Sequence, residues 1–163
     1  MIYSASITAA KGGSESQAVS TVLTVNPGLI WLLEIDFPSG CCGLAHFQLF
    51  DGSYQVFPAT PGESFACDGF TLHLEDLYFK RAAPFQFIIK TWNTDTVWSH
   101  TIAVRIGMAM GRAEMSRYIP ALAFEAFEEL MAEMISNQEA VRQAQMVEAL
   151  KRLTPEENGT GTT

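Results

Sequence analysis

Charged residues are scarce in this sequence, and positively charged ones especially so. Lysine and arginine number 10 against 18 acidic residues, the net charge is −8, and charged residues make up only 17% of the chain. Nucleic-acid binding requires clustered basic residues to displace counterions, and here they are scattered, so nucleic acid is not an expected partner. Low charge in a chain that is 48% hydrophobic also indicates that another molecule covers part of its surface.

Long apolar runs are also missing. The longest, residues 29–33, stops at Glu34 and is much too short to cross a bilayer, so we expect no contact with a membrane. The N-terminus has no basic segment followed by an apolar core, which predicts that the chain carries no signal peptide.

Motifs that support chemistry are equally scarce. The three cysteines, Cys41, Cys42 and Cys67, have no CxxC spacing, which predicts no metal site. They are expected as free thiols, although a bond to Cys67 stays open if the fold joins the loops. There is no G-x-S-x-G elbow, and residues 11–14 lack the order of a phosphate-binding loop. The carboxylates at residues 75–76 point to opposite faces of a strand. The sequence therefore predicts no catalytic residue, no cofactor and no enzyme.

The three histidines lie on three separate predicted strands. His73 alternates with leucines on a polar face, which predicts contact with solvent. His100 shares an apolar face with Trp98, which predicts a buried, hydrogen-bonded imidazole. Nothing in the spacing brings His46 and the other two together, so no histidine metal site is expected.

Short segments of alternating apolar and polar residues dominate residues 1–110. Apolar side chains occupy the odd positions of residues 29–37, with Glu34 and Asp36 on the other face, which is typical of a half-buried antiparallel strand. Turn signals such as Asp51-Gly52 separate about eight such segments. The pattern predicts a mainly β fold, an antiparallel β-sandwich or jelly roll. Its predicted core comprises Trp31, Leu33, Ile35, Phe47, Leu49, Phe87, Ile102 and Val104.

The composition changes after residue 110 and predicts a helical extension over residues 111–153. Pro120 suits the first turn of a helix, and residues 121–135 favour helix. Ser136 with Glu139 resembles a capping box, so either a second helix begins there or one helix continues. Residues 154–163 are predicted to form a flexible polar tail.

An apolar stripe on this extension is the candidate functional surface. It can fold back onto outer sheet positions such as Ile30 and Leu32, or contact another chain, because a sandwich already buries its own inner faces. We predict that it forms an assembly interface and that the protein is a homo-oligomer. The predicted interface residues are Ile119, Phe124, Phe127, Leu130, Met131 and Met134.

A tryptophan at a strand end supports an alternative function. Trp92, followed by Asn93 and Asp95, falls on the face opposite Phe87 and Ile89. An exposed indole beside amide and carboxylate groups can stack on a sugar ring. These three residues are the candidate glycan contact of a carbohydrate-binding β-sandwich module.

Turn and core segments within residues 20–107 carry a resemblance to a known group of proteins. The segments are residues 37–44, 55–58, 61–63, 84–85, 92–95 and 100–101. They resemble small uncharacterised open reading frames among the structural genes of tailed bacteriophages and prophages. The resemblance implies a structural virion protein, made in the host cytoplasm: a decoration, minor capsid or neck and tail-associated β domain. Its implied partners are itself and other virion proteins, and no catalytic residues carry over.

Overall fold

The structure, a computed structural model, describes residues 1–119 and 124–153 of the chain. The chain divides into two compact units, with the first one ending at Ile119. The predicted helix start at Pro120 and the predicted polar tail, residues 154–163, lie outside the described residues.

The first unit is built from β-strands, and the second contains a long helix. A short 3-10 turn, Glu15–Gln17, lies between the first two strands. The elements are β1 (Ile2–Ala9), β2 (Val19–Thr24), β3 (Gly28–Phe37), β4 (Ala45–Asp51), β5 (Tyr54–Phe57), β6 (Phe70–Leu74), β7 (Tyr78–Lys80), β8 (Gln86–Asn93), β9 (His100–Ala109), α1 (Arg112–Met115) and α2 (Phe124–Leu153).

The strands form two antiparallel sheets with one core between them. One sheet has the order β1-β9-β3-β6, with β7 also pairing with β3, and the other has the order β2-β8-β4-β5. Inward-facing side chains from both sheets join a single hydrophobic cluster. The predicted antiparallel sandwich with a C-terminal helix is therefore confirmed. Seven predicted core residues lie in that cluster, namely Leu33, Ile35, Phe47, Leu49, Phe87, Ile102 and Val104.

Trp31 is the exception, and a β-bulge explains it. The register of β3 against β9 shifts between Ile30 and Leu32, so that Trp31 is an extra residue in the ladder. Side chains alternate across a strand, and one extra residue therefore exchanges the faces on its N-terminal side. Ile30, expected on the outer face, is in the core, and Trp31 is half-buried outside it.

The segment after β9 folds back onto the outer face of the first sheet. The ring of Tyr118 stacks on Trp31 at 5.0 Å between centroids and 8° between planes. The indole lies over Gly107, where an added Cβ would come within 2.9 Å of Trp31 and Leu32. Met115 in α1 is fully buried. The sandwich unit thus reaches residue 119, beyond the boundary predicted at residue 110.

Helix α2 runs without interruption through Ser136. Its 30 residues make it about 45 Å long at 1.5 Å per residue. One continuous helix, the second of the two predicted alternatives, is confirmed, and Ser136 is an interior residue rather than a cap. Over its full length, α2 does not concentrate its apolar residues on one face.

Candidate functional site

The loop between β8 and β9, residues 94–99, is shaped by Asp95. One carboxylate oxygen of Asp95, Oδ1, accepts hydrogen bonds from the backbone N–H groups of Val97 at 2.7 Å and Trp98 at 3.3 Å. The backbone N–H of Asp95 donates to Asn93 Oδ1 at 3.0 Å, and Asn93 Nδ2 donates to the carbonyl of Trp98 at 2.8 Å. Two short side chains therefore fix both ends of the loop, as in an Asx turn.

His100 also belongs to this hydrogen-bond network. Its Nε2 lies 2.8 Å from the second carboxylate oxygen of Asp95, and both side chains are buried. The backbone bond from Val97 and the bond from His100 hold the pKa of Asp95 below its usual value. The predicted buried, hydrogen-bonded environment of His100 is confirmed. The loop between β1 and β2 is hydrogen-bonded to the same site, because the backbone N–H of Gly12 donates to the carbonyl of Asp95 at 2.6 Å.

The residues of the predicted glycan contact are buried, so the exposure expected for Trp92 is wrong. Trp92 is 7% exposed, Asn93 0% and Asp95 9%. The indole of Trp92 does lie on the outer face, but strand pairing places His46 opposite it, and the two rings stack at 4.8 Å. Neighbouring-strand side chains of this kind could not be located from the sequence alone.

Trp98 is exposed instead, and its predicted inward position is also wrong. It lies in the loop before β9 begins at His100, and is 68% exposed beside Val97, which is 57% exposed. The strand alternation begins only at His100, two residues after Trp98, so it does not determine the side on which Trp98 lies. The Asn-x-Asp pattern of residues 93–95 was the available turn signal, because such side chains favour local backbone hydrogen bonds.

The other two histidines occupy different surroundings. His46 Nδ1 lies 2.9 Å from Ser64 Oγ, and burial lowers the pKa of His46, partly offset by the charge of Glu15. His73 is exposed as predicted, 3.2 Å from a carboxylate oxygen of Glu34. Within residues 1–119 and 124–153, no group of three or more His, Cys, Asp or Glu residues is arranged to hold a metal ion.

A buried charge cluster at one end of the sandwich was missed from the sequence. Lys80 in β7 is 1% exposed, and its ammonium forms an ion pair with Asp51 at the end of β4. The hydroxyl of Tyr78 donates to the other carboxylate oxygen of Asp51 at 2.9 Å. Burial, and then the hydrogen bond to Asp51, raise the pKa of Tyr78 above its ordinary value. These contacts join the two sheets.

The predicted assembly residues lie on both sides of the unit boundary. Ile119 is half-buried at the end of the first unit, Met131 is half-buried and Met134 is buried. Phe124, Phe127 and Leu130 lie in α2. Among the α2 residues whose side chains the structure describes, the large apolar ones that are exposed are Ile135, Val141, Met146 and Val147, each at least half exposed.

Comparisons with other proteins leave the function to be argued from this chain. Known protein families, characterised proteins and solved structures contain no match to it. The resemblance to tailed-phage structural proteins therefore stays a prediction. In the part of the chain that the structure describes, no helix has both the length and the apolar character needed to cross a bilayer.

Proposed function

We propose that this chain is a structural virion protein of a tailed phage, a decoration, minor capsid or neck and tail-associated component. It acts by protein–protein assembly, with itself and with other virion proteins. The observation that carries the proposal is the exposure of several large apolar side chains along α2. Ile135 and Val141 are 50% exposed, Val147 52% and Met146 63%.

Exposed apolar side chains of this kind favour contact with another molecule. Burial of water-exposed apolar surface stabilises a complex by about 25 cal/mol per Å². The flexible side chain of methionine also adapts to irregular partners. The sandwich has its own complete core in a separate compact unit. The exposed apolar side chains of α2 can therefore be buried by contact with another chain.

The buried polar side chains of the sandwich support a structural role as well. Gln55 Nε2 lies 2.8, 3.0 and 2.9 Å from the carbonyl oxygens of Pro58, Thr60 and Glu63, which share its two hydrogens. Gln48 Nε2 donates to the same carbonyl of Glu63 at 3.0 Å. These amides hold the loop after β5 in one conformation, which suits a domain whose surface must match fixed neighbours.

The assembly proposal is tested by adding charge to α2. Val141→Glu combined with Met146→Glu replaces two of these exposed apolar side chains with carboxylates, and we expect self-association to weaken at least about tenfold, since burying an unpaired charge costs more than 1.4 kcal/mol. The matched control is Gln143→Glu with Gln145→Glu, which adds the same charge to the same helix at exposed polar positions.

Molar mass is measured by light scattering over a concentration series, and circular dichroism checks the helix. The proposal requires that the first pair lowers the mass while the control pair keeps it. Equal masses for the wild type and both variants, or a wild type that stays monomeric, would contradict the proposal that α2 mediates self-association.

The virion location is tested separately on purified particles. Quantitative mass spectrometry of phage particles from the source of this sequence should find the chain at a fixed copy number per particle. Its presence in the lysate but not in banded particles would contradict the location.

A second candidate function is carbohydrate binding, favoured by the exposed indole of Trp98. The loop that presents this residue is fixed by Asp95, so that binding would cost little loop entropy. Stacking of a sugar ring on an indole needs an open aromatic face, which the 68% exposure of Trp98 provides.

A glycan array with the full-length protein and Trp98→Ala tests this alternative. Carbohydrate binding predicts array signals that Trp98→Ala abolishes and that Phe70→Ala keeps, because Phe70 is an exposed aromatic residue in β6. The absence of any signal from the wild type would end this candidate.

A further inference from the structure

Two cysteines from different loops meet at the edge of the core. Cys41 lies between β3 and β4, Cys67 lies between β5 and β6, and the thiol of Cys41 donates to the carbonyl of Cys67 at 2.9 Å. All three cysteines are free thiols in this structure. We infer that Cys41 and Cys67 form a disulfide bond when the protein meets an oxidising low-molecular-mass disulfide, and that this bond locks the two loops together.

The two loops are already held in contact. The backbone N–H of Gly40 donates to Asp68 Oδ1 at 2.7 Å, and that of Gly69 donates to the carbonyl of Pro38 at 3.2 Å. Both bonds lie directly beside the two cysteines, in the same two loops. The conformational entropy of bringing the loops together is therefore lost on folding, before any covalent bond forms.

Both cysteines contact the same hydrophobic cluster. Cys41 is fully buried within the hydrophobic cluster, and Cys67 is half-buried and packs against that cluster. The sulfur of Cys41 contacts the backbone of Cys67, so the two residues are direct neighbours, as a disulfide requires.

Cys42 is excluded as the bonding partner by its position. It is exposed, its backbone has φ of 49°, and its thiol lies 3.7 Å from the carbonyl of Gly40 in its own loop. The left-handed conformation at this residue directs the neighbouring cysteines differently, one into the core and one to solvent. The adjacent cysteine therefore serves as an internal control.

The reaction balances with glutathione disulfide as the oxidant. The more accessible Cys67 thiolate attacks one sulfur of glutathione disulfide, which forms a mixed disulfide and releases one glutathione thiolate. Cys41 then loses its proton and attacks the sulfur of Cys67, which displaces the second glutathione. Two protein thiols lose two electrons and two protons, and one glutathione disulfide becomes two glutathione thiols. Burial raises the pKa of Cys41 and lowers its thiolate fraction, so the second step should be slower than the first.

The bond would stabilise the sandwich and leave assembly alone. It closes a loop between positions 26 residues apart that contains β4 and β5. Cross-linking lowers the entropy of the unfolded chain, so the oxidised protein should have a higher Tm. The inference is independent of the assembly proposal, since neither cysteine lies on α2.

Thiol counting on the full-length protein tests the inference. The protein is equilibrated with glutathione disulfide, then unfolded in urea with iodoacetamide, and its intact mass is measured. The Cys41–Cys67 bond should appear as two fewer alkyl groups, a mass loss of two hydrogens and no glutathione on either residue, while the exposed Cys42 of the wild type carries either an alkyl group or a glutathione. Cys42→Ser should take up neither an alkyl group nor a glutathione and should gain several degrees in Tm on oxidation. Cys67→Ser should lose no hydrogens, should carry an alkyl group or a glutathione on each remaining cysteine, and should show no gain in Tm.

Three outcomes would overturn the inference. These are full alkylation of the oxidised wild type, a Cys42→Ser variant that keeps two free thiols, or a bonded species found only as a cross-linked dimer on a non-reducing gel. Thermal unfolding of each reduced variant confirms that it is folded, and Cys67→Ser is preferred to a change at the fully buried Cys41 for that reason.

Discussion

At the scale of single residues, buried polar side chains determine the shape of the loops. Asp95 bonds two backbone N–H groups of its own loop and pairs with His100, so a residue predicted to contact sugar organises the backbone instead. The turn-forming role of Asp95 was not predicted, although the Asn-x-Asp pattern of residues 93–95 is a turn signal. It gave no measure of burial, because the atoms that cover Asp95 and Asn93 belong to segments far away in the chain.

Replacing Asp95 with asparagine tests this network through its pH dependence. The folded protein holds the pKa of Asp95 below the value of about 3.9 in an unfolded chain, so the carboxylate stabilises the fold above that pH. This contribution is lost as the pH falls through the folded pKa. We expect Asp95→Asn to lower Tm by several degrees at pH 7 and the difference from wild type to shrink below about pH 4.

The control for this experiment is Glu63→Gln, an exposed acid in the same unit. Thermal unfolding followed by circular dichroism at pH 7, 5 and 3 gives the comparison. A difference between wild type and Asp95→Asn that stays constant over this range would show that the carboxylate charge is not the stabilising element.

The buried Lys80 predicts a strong effect of losing one partner. Lys80→Met keeps the volume of the side chain but leaves Asp51 without its ammonium, and such a loss costs about 3 kcal/mol or more. The double variant Lys80→Met with Asp51→Asn should recover part of the loss, because no unpaired charge remains. Urea unfolding measures both. A single variant as stable as wild type would contradict a structural role for the pair.

At the scale of elements, alternation was a good guide where strands are regular and a poor one where they are not. About eight strands were predicted and nine are found within residues 1–119. The missed strand, Tyr78–Lys80, has three residues, too few for a period of two to be recognised. The bulge at Trp31 changes the face of its neighbours without any change in composition, and only the pairing with β9 reveals it. At Ser136, helix propensity on both sides overrides a local capping pattern.

The stacking of Tyr118 on Trp31 predicts that the segment after β9 stabilises the sandwich. Removing the ring in Tyr118→Ala should lower the free energy of unfolding by about 1 kcal/mol. Phe70→Ala, which removes an exposed ring from the same unit, should change it by less than about 0.5 kcal/mol. Urea unfolding distinguishes the two. Equal stability of Tyr118→Ala and wild type would mean that residues 110–119 are dispensable for the sandwich.

At the scale of the whole molecule, the chain combines a β-sandwich with a helix in a unit of its own. Composition predicted this division, because strand-forming residues end abruptly near residue 110. It could not place the boundary, since Met115 and Tyr118 look like helix residues and yet belong to the sandwich unit. The sequence also could not show which apolar residues of α2 are exposed, because exposure depends on tertiary contacts rather than on residue spacing.

The central claim, that α2 carries self-association while residues 1–119 form the folded scaffold, is tested most directly by the molar mass of a chain ending at Ile119. Light scattering should report an oligomer for the full-length protein and a monomer for the shortened chain. The shortened chain should also keep a cooperative unfolding transition, because its core is complete. A shortened chain that retains the full-length oligomeric state would contradict the claim.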